Sequence, residues 1–101
     1  MPKVTLNWKA PTDDGGSEIT NYIVEYRAVG AFKWLKSAHE GTERTTVIKG
    51  LDAESLYEFR VSAVNKAGTG PPAESSMADD LDATGKRKSI YNIAFSLYYV
   101  Y

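Results

Sequence analysis

The nine residues YEFRVSAVN, from Tyr57 to Asn65, decide the fold class of this chain. Large apolar residues at Tyr57, Phe59 and Val61 alternate with the charged residues Glu58 and Arg60. Alternation with a period of two is typical of a β-strand that buries one face and exposes the other. This segment therefore predicts a half-buried strand whose large side chains face a core.

Four other segments of the chain are also typical of short strands. Residues 4–9 and 22–27 alternate apolar and polar side chains, residues 32–36 do so over a shorter length, and residues 45–49 are rich in β-branched residues. The segments between them contain proline and glycine, which favour turns and loops. Short strands separated by turns, with no convincing helix before residue 77, predict an all-β antiparallel sandwich or barrel. The predicted core residues are Leu6, Trp8, Tyr22, Val24, Tyr26, Trp34, Ile48, Leu51, Tyr57, Phe59 and Val61.

The bulk composition excludes several classes of function. The chain has 101 residues, which suits one small domain, and its 12 basic and 13 acidic residues nearly cancel. A balanced charge argues against a nucleic-acid-binding surface. No apolar run approaches the ~20 residues that span a bilayer. The absence of cysteine excludes disulfides and thiolate chemistry, and it fits a cytoplasmic protein.

The stretch from Asp13 to Gly16 is the one candidate for a metal site. A calcium loop needs about six oxygen ligands, usually from alternating acids and a distant Glu. The adjacent carboxylates of Asp13 and Asp14 diverge and do not supply such a set. Asp side chains and paired glycines such as Gly15 and Gly16 instead favour a turn. We therefore assign Asp13, Asp14, Gly15 and Gly16 to a turn, with no metal ligand predicted.

No group of residues predicts catalysis. His39 is the single histidine, and no partnered nucleophile or acid stands near it in the sequence. We expect it to be an ordinary exposed histidine in a loop. Gly68 and Gly70 lack the third glycine and the helix of a dinucleotide-binding loop. The sequence therefore predicts no enzyme, no catalytic residue and no cofactor.

The landmarks of the chain, taken in order, resemble the fibronectin type III family. They comprise Trp8 on the second strand, Tyr22-x-Val24-x-Tyr26 on the third, Trp34 on the short strand that follows, and Asn65 to Gly70 as the last loop. The resemblance implies an immunoglobulin-like β-sandwich. It also implies a tyrosine corner, in which Leu51 and Tyr57 are buried and the tyrosine hydroxyl bonds back to the backbone.

The loop from Pro11 to Tyr22 resembles a subtype of the family. The sequence DDGGSEITNYIVE, residues 13–25, is similar to the corresponding sequence of fibronectin III domains in giant muscle proteins such as titin, twitchin and the myosin-binding proteins C. The resemblance implies a non-catalytic structural and protein-binding module in the cytoplasm, at the sarcomere or cytoskeleton. Its implied partners are proteins, such as myosin or neighbouring immunoglobulin and fibronectin III domains. The alternative is a module of a cell-surface adhesion protein or receptor.

The chain departs from the family pattern at both ends. The family's first strand is missing, so the strand at Val4 to Trp8 becomes a sheet edge. We expect the side chains of Val4, Leu6 and Trp8 to be partly uncovered there. The resemblance ends near residue 78. We therefore expect a partial fibronectin III domain over residues 1–78, followed by a linker and an aromatic tail over residues 79–101.

The tail permits two secondary structures and three interpretations. Large residues at Tyr91, Ile93 and Phe95 follow strand alternation, but Ile90, Ile93 and Leu97 also fit a helical stripe. The tail could be sequence foreign to the domain, which its abrupt change of character favours. It could lie at a membrane interface behind the basic residues 86–88. It could also fill the place of the missing strand, as a strand or short helix against exposed apolar surface.

Overall fold

The structure, a computed structural model, describes residues 3–77, 83–85 and 90–93. These residues form strands and connecting turns, with no helix among them. The strands are β1 (Val4–Trp8), β2 (Asn21–Ala28), β3 (Leu35–Lys36), β4 (Thr45–Ile48), β5 (Tyr57–Asn65), β6 (Gly68–Thr69), β7 (Ala73–Ser76) and β8 (Ile90–Ile93).

The strands form two sheets, which confirms the predicted all-β sandwich. The smaller sheet has the order β4-β1-β8. The larger sheet has the order β3-β2-β5-β6, and β7 also pairs with β5. The central pair, β2 and β5, runs antiparallel in unbroken register from Asn21 opposite Val64 to Ala28 opposite Tyr57. Every second residue of each strand consequently points between the sheets.

The space between the sheets is a dry apolar core. Phe59 and Val61 from the larger sheet and Leu6 from the smaller one are fully buried. Tyr26 and Tyr57 are partly buried and pack against this cluster. Edge-to-face contact between Trp8 and Tyr22, with ring centroids 5.5 Å apart, joins the two sheets. The buried apolar residues are Val4, Leu6, Trp8, Tyr22, Val24, Ile48, Leu51, Phe59, Val61, Ala63, Ala73, Met77, Tyr91 and Ile93.

The connection into β5 has the geometry implied by the family resemblance. Leu51 is buried, and the Tyr57 hydroxyl accepts a hydrogen bond of 2.8 Å from the backbone N–H of Asp52. The Asp52 carboxylate in turn accepts a hydrogen bond from the backbone N–H of Glu54. The corner thus fixes where the chain leaves one sheet and enters the other.

Strand β8 lies at the edge of β1 that the sequence left open. It pairs with β1 in parallel, with Leu6 opposite Tyr91 and Trp8 opposite Ile93. Both Tyr91 and Ile93 are buried. The expectation that Val4, Leu6 and Trp8 would be partly uncovered is therefore wrong, because β8 covers this edge and all three are buried. Of the two secondary structures considered for the tail, residues 90–93 adopt the strand; residues 94–101 lie outside the described part.

Trp34 was assigned to the core, but it lies on the outer face of the larger sheet. The β2–β3 register places Tyr26 opposite Leu35, and the same register continued by one position would bring Trp34 opposite Arg27. Residues that lie opposite each other share a face of the sheet. Arg27 points outward, and Trp34 follows it to the outer face, where it is half-buried between arginines. Counting alternate positions within the short segment could not reveal this, because the face depends on the register with the neighbouring strand.

Candidate interaction surface

The acidic loop before β2 is a turn in which the Asp13 and Asp14 carboxylates accept hydrogen bonds from the loop's own backbone. The Oδ1 atom of Asp13 accepts a 2.8 Å hydrogen bond from the N–H of Gly15, and Oδ1 of Asp14 accepts one of 2.9 Å from Gly16. Both glycines have positive φ, 73° and 91°, a conformation that other residues rarely adopt. Among the described residues, no group of three or more His, Cys, Asp or Glu side chains is placed to hold a metal ion.

A buried amide at the end of β5 holds this loop in place. The Nδ2 of Asn65 donates to the backbone oxygen of Asp14 at 3.0 Å and to that of Ser17 at 3.5 Å. Its Oδ1 accepts a 2.9 Å hydrogen bond from the N–H of Ala67. Sequence reasoning placed Asn65 only at the end of a strand. An asparagine that ends an alternating strand, just before a glycine-rich turn, was the available signal.

Replacing Asn65 with alanine is expected to lower the free energy of unfolding by about 1–3 kcal/mol. The reason is that the variant loses the part-buried hydrogen bonds that the buried Asn65 side chain makes with the backbone of Asp14 and Ala67. Urea denaturation followed by tryptophan fluorescence measures the loss. The matched control is Asn92→Ala, on an exposed position of β8, for which we expect little change. Equal losses in both variants would contradict the role assigned to Asn65.

The outer face of the larger sheet carries an ordered group of charged and aromatic side chains, here named the arginine–tryptophan cluster: Glu25, Arg27, Trp34, Glu58 and Arg60. The guanidinium carbons of Arg27 and Arg60 each lie 4.3 Å from the centroid of the Trp34 ring. Arg60 Nε is 2.8 Å from Glu25 Oε1, and Arg27 Nε is 3.4 Å from Glu58 Oε1. The cluster thus spans β2, β5 and the residue that precedes β3.

The cluster forms because opposite charges lie directly across the β2–β5 ladder. Glu25 faces Arg60 and Arg27 faces Glu58 in the register. Each partly exposed ion pair contributes only ~0–1 kcal/mol, and each cation–π contact about as much. Their main effect is to hold five side chains in one arrangement, with no net charge.

The hairpin beside the cluster exposes apolar and basic side chains. Arg27 donates through Nη1 to the backbone oxygen of Phe32 at 3.4 Å, which fixes the loop. Phe32 is 98% exposed, and Leu35 is 54% exposed. Lys33 and Lys36 flank them and are also exposed. Grouped exposed apolar residues are typical of sites that contact another molecule, and Phe32 and Leu35, three residues apart, are the candidates here. The sequence assigned this segment to a strand, and only Leu35–Lys36 is one.

An open cleft of about 830 Å³ lies between the acidic loop and the segment before β4. Tyr22, Arg44 and Glu18 are among the residues that line it. Burial raises the pKa of the Tyr22 phenol, and the positive charge of Arg44 partly opposes that rise.

The raised pKa of Tyr22 predicts a loss of stability at alkaline pH. Above the ordinary pKa of 10.0, the unfolded phenol loses its proton while the folded one keeps it. The free energy of unfolding should therefore fall as the pH rises from 10 through the higher pKa of the folded chain. Tyr22→Phe should reduce the slope of stability against pH, measured by urea denaturation between pH 8 and pH 11. An unchanged slope in that variant would contradict the prediction.

His39 is packed rather than freely exposed. Its ring lies edge-to-face on Trp8, with centroids 5.3 Å apart, and its backbone N–H donates to the Ser37 hydroxyl at 3.2 Å. The expectation of an ordinary exposed histidine is wrong in this respect. Its surroundings contain no catalytic constellation among the described residues.

Within the described residues, no helix has the length and apolar character needed to cross a bilayer.

Comparison with known proteins agrees with this geometry. The profile of the "Fibronectin type III domain" family matches residues 2–79. Titin of Drosophila melanogaster is 44% identical over 73 residues, covering 72% of this chain and, after rounding, 0% of that protein. The fast-type myosin-binding protein C of Gallus gallus is 38% identical over 73 residues, covering 67% of this chain and 6% of that protein. The chain thus spans a small fraction of the curated relatives it matches.

A solved structure extends the likeness to three dimensions. Titin module A71 from human cardiac muscle has a TM-score of 0.65 and 39% sequence identity, covering 81% of this chain and 85% of that one. The relatives are therefore muscle filament proteins or modules of them, as the sequence around the Asp13–Gly16 turn indicated. Together with the two-sheet core and the tyrosine corner, the match over residues 2–79 shows that this chain belongs to the fibronectin type III domain family.

Proposed function

We propose that this chain is a non-catalytic structural and protein-binding module of a giant muscle filament protein, located at the sarcomere. The observation that carries the proposal is the outer face of the larger sheet. There, the arginine–tryptophan cluster holds the hairpin that presents Phe32 and Leu35 to solvent. The likeness to titin and to myosin-binding protein C supports a muscle setting.

The described residues favour recognition of proteins over catalysis. The carboxylates of Asp13 and Asp14 accept hydrogen bonds within their own turn, and those of Glu25 and Glu58 pair with arginines. These groups therefore serve geometry rather than proton transfer. A flat face with exposed apolar residues among basic ones suits a protein surface, where an aromatic side chain often supplies much of the binding free energy.

We propose residues 1–78 as the domain proper and residues 79–101 as a linker with an added segment. The family match over residues 2–79 supports this boundary. β8 then belongs to the added segment, although it pairs within the smaller sheet of the domain. The cellular partner that we propose first is myosin, because one of the relatives is a myosin-binding protein C.

Co-sedimentation of the full chain with striated-muscle myosin filaments tests the proposal. We expect binding, and we expect Phe32→Ala to weaken it by about tenfold or more, because an aromatic anchor of an interface contributes ~2 kcal/mol or more. Phe32 is 98% exposed, so the substitution should leave folding intact. Val47→Ala is the matched control, since Val47 is also exposed but lies on the other sheet.

Two results would count against parts of this proposal. A chain that does not co-sediment with myosin filaments would remove myosin as the partner. Binding that Phe32→Ala and Val47→Ala reduce equally would remove the outer face as the surface.

A further inference from the structure

Strand β8 completes the smaller sheet at the edge of β1. It comprises four residues, Ile90–Ile93, and among the described strands its ladder partner is β1. Tyr91 is fully buried, with its ring centroid 5.6 Å from that of Phe59. Ile90 and Asn92, on the other side of the strand, are exposed. The β1 edge therefore accepts a short strand with large apolar residues at two alternate positions.

The connection to β8 is long enough for β8 to reach either its own β1 or the β1 of a second copy. Residues 78–89 join Met77, just after β7, to Ile90. Twelve residues can extend to about 40 Å, at ~3.3–3.6 Å per residue. A parallel pair needs a crossover of about a dozen residues in any case. The same length also reaches the β1 edge of a second copy in contact with the first.

We propose that β8 is an exchangeable strand, and that the β1 edge of one copy accepts residues 90–93 of a second copy to give a strand-swapped dimer. Each exchanged strand makes the same ladder and buries the same Tyr91 and Ile93 as it does within one chain. The two arrangements consequently differ mainly in the entropy of association. Joining β8 to its own copy through twelve residues sets an effective concentration of about the millimolar range, so the dimer forms when the chain is concentrated.

Introduced cysteines test the exchange directly, because the chain has no cysteine of its own. Thr5 and Ile90 lie opposite each other in the register, and neither is buried. Neighbouring strands are about 4.8 Å apart, within the range that a disulfide spans. The double variant Thr5→Cys/Ile90→Cys should form a disulfide within one chain when it is dilute, which reports β8 on its own β1.

The decisive experiment mixes the two single variants. Thr5→Cys and Ile90→Cys chains are unfolded together, refolded at about millimolar concentration and oxidised. We expect a disulfide-linked pair of chains, several-fold more abundant than in a control mixture of Thr5→Cys with Lys66→Cys. Lys66 is exposed in the turn between β5 and β6, so its cysteine reports random collision. Light scattering of the unmodified chain, refolded under the same conditions, should show dimers.

Either of two outcomes would overturn the proposal. Linked pairs no more abundant than in the Lys66→Cys control, with a monomeric unmodified chain, would show that β8 stays on its own copy. Absence of the disulfide in the dilute double variant would show that residues 90–93 do not pair with β1 in solution.

Discussion

Truncating Phe59 to alanine is expected to lower the free energy of unfolding by about 3–5 kcal/mol. Phe59 is fully buried at the centre of β5, where it contacts the ring of Tyr91. Its removal would leave a cavity that the close-packed layers can fill only in part. A small domain is stable by ~5–15 kcal/mol, so the variant should be close to unfolding at 37 °C. Urea denaturation at 25 °C measures the difference.

The chain supplies its own control for this experiment. Phe32→Ala makes the same chemical change at a position that is 98% exposed, and we expect a change within about 0.5 kcal/mol. Losses of similar size in the two variants would mean that Phe59 does not lie between the sheets as described.

The second large effect is expected at Tyr91, which lies beyond the residues matched by the family. Tyr91→Ala should cost about 3–5 kcal/mol, as expected for a fully buried aromatic ring. The loss would show that a segment outside the family match stabilises the family core. Thermal unfolding followed by circular dichroism measures it. Ile90→Ala, on the exposed side of the same strand, is the matched control, and we expect a much smaller change.

Deletion of residues 86–101 extends this prediction. The deletion removes the burial of Tyr91 and Ile93 and opens the edge of β1, so the melting temperature should fall further than in Tyr91→Ala. An unchanged or higher melting temperature would contradict the role of β8.

The rings of Phe59 and Tyr91 are in contact. We therefore expect the double variant to lose less free energy of unfolding than the sum of the losses in the two single variants.

The two assignments that failed, at Trp34 and at the β1 edge, have a common cause. The alternation in residues 32–36 predicted an extended segment, but the face of Trp34 depends on which residue of β2 it opposes. Similarly, Val4, Leu6 and Trp8 were correctly placed toward a core. What covers their edge depends on a segment more than 80 positions along the chain. Local patterns carry no information on either pairing.

The candidate interaction surface was visible in the sequence only as separate parts. Glu58 and Arg60 were placed on the outer face of their strand by alternation alone. Their partners, Arg27 and Glu25, became known only from the register of β2 against β5. The exposure of Phe32 was not foreseen, because a phenylalanine within an alternating segment normally predicts burial.

The sequence by itself determined strands β1, β2, β4 and β5, the inward residues of β1, β2 and β5, and the turn at Asp13 to Gly16. These follow from interactions between residues close in the chain: alternation, turn hydrogen bonds and the φ preference of glycine. The tertiary structure decided the ring of Trp34 between two arginines, the Asn65 hydrogen bonds to the acidic loop, and the pairing of β8 with β1. Those contacts join residues far apart in the chain, and they exist only once the register and order of the strands are set.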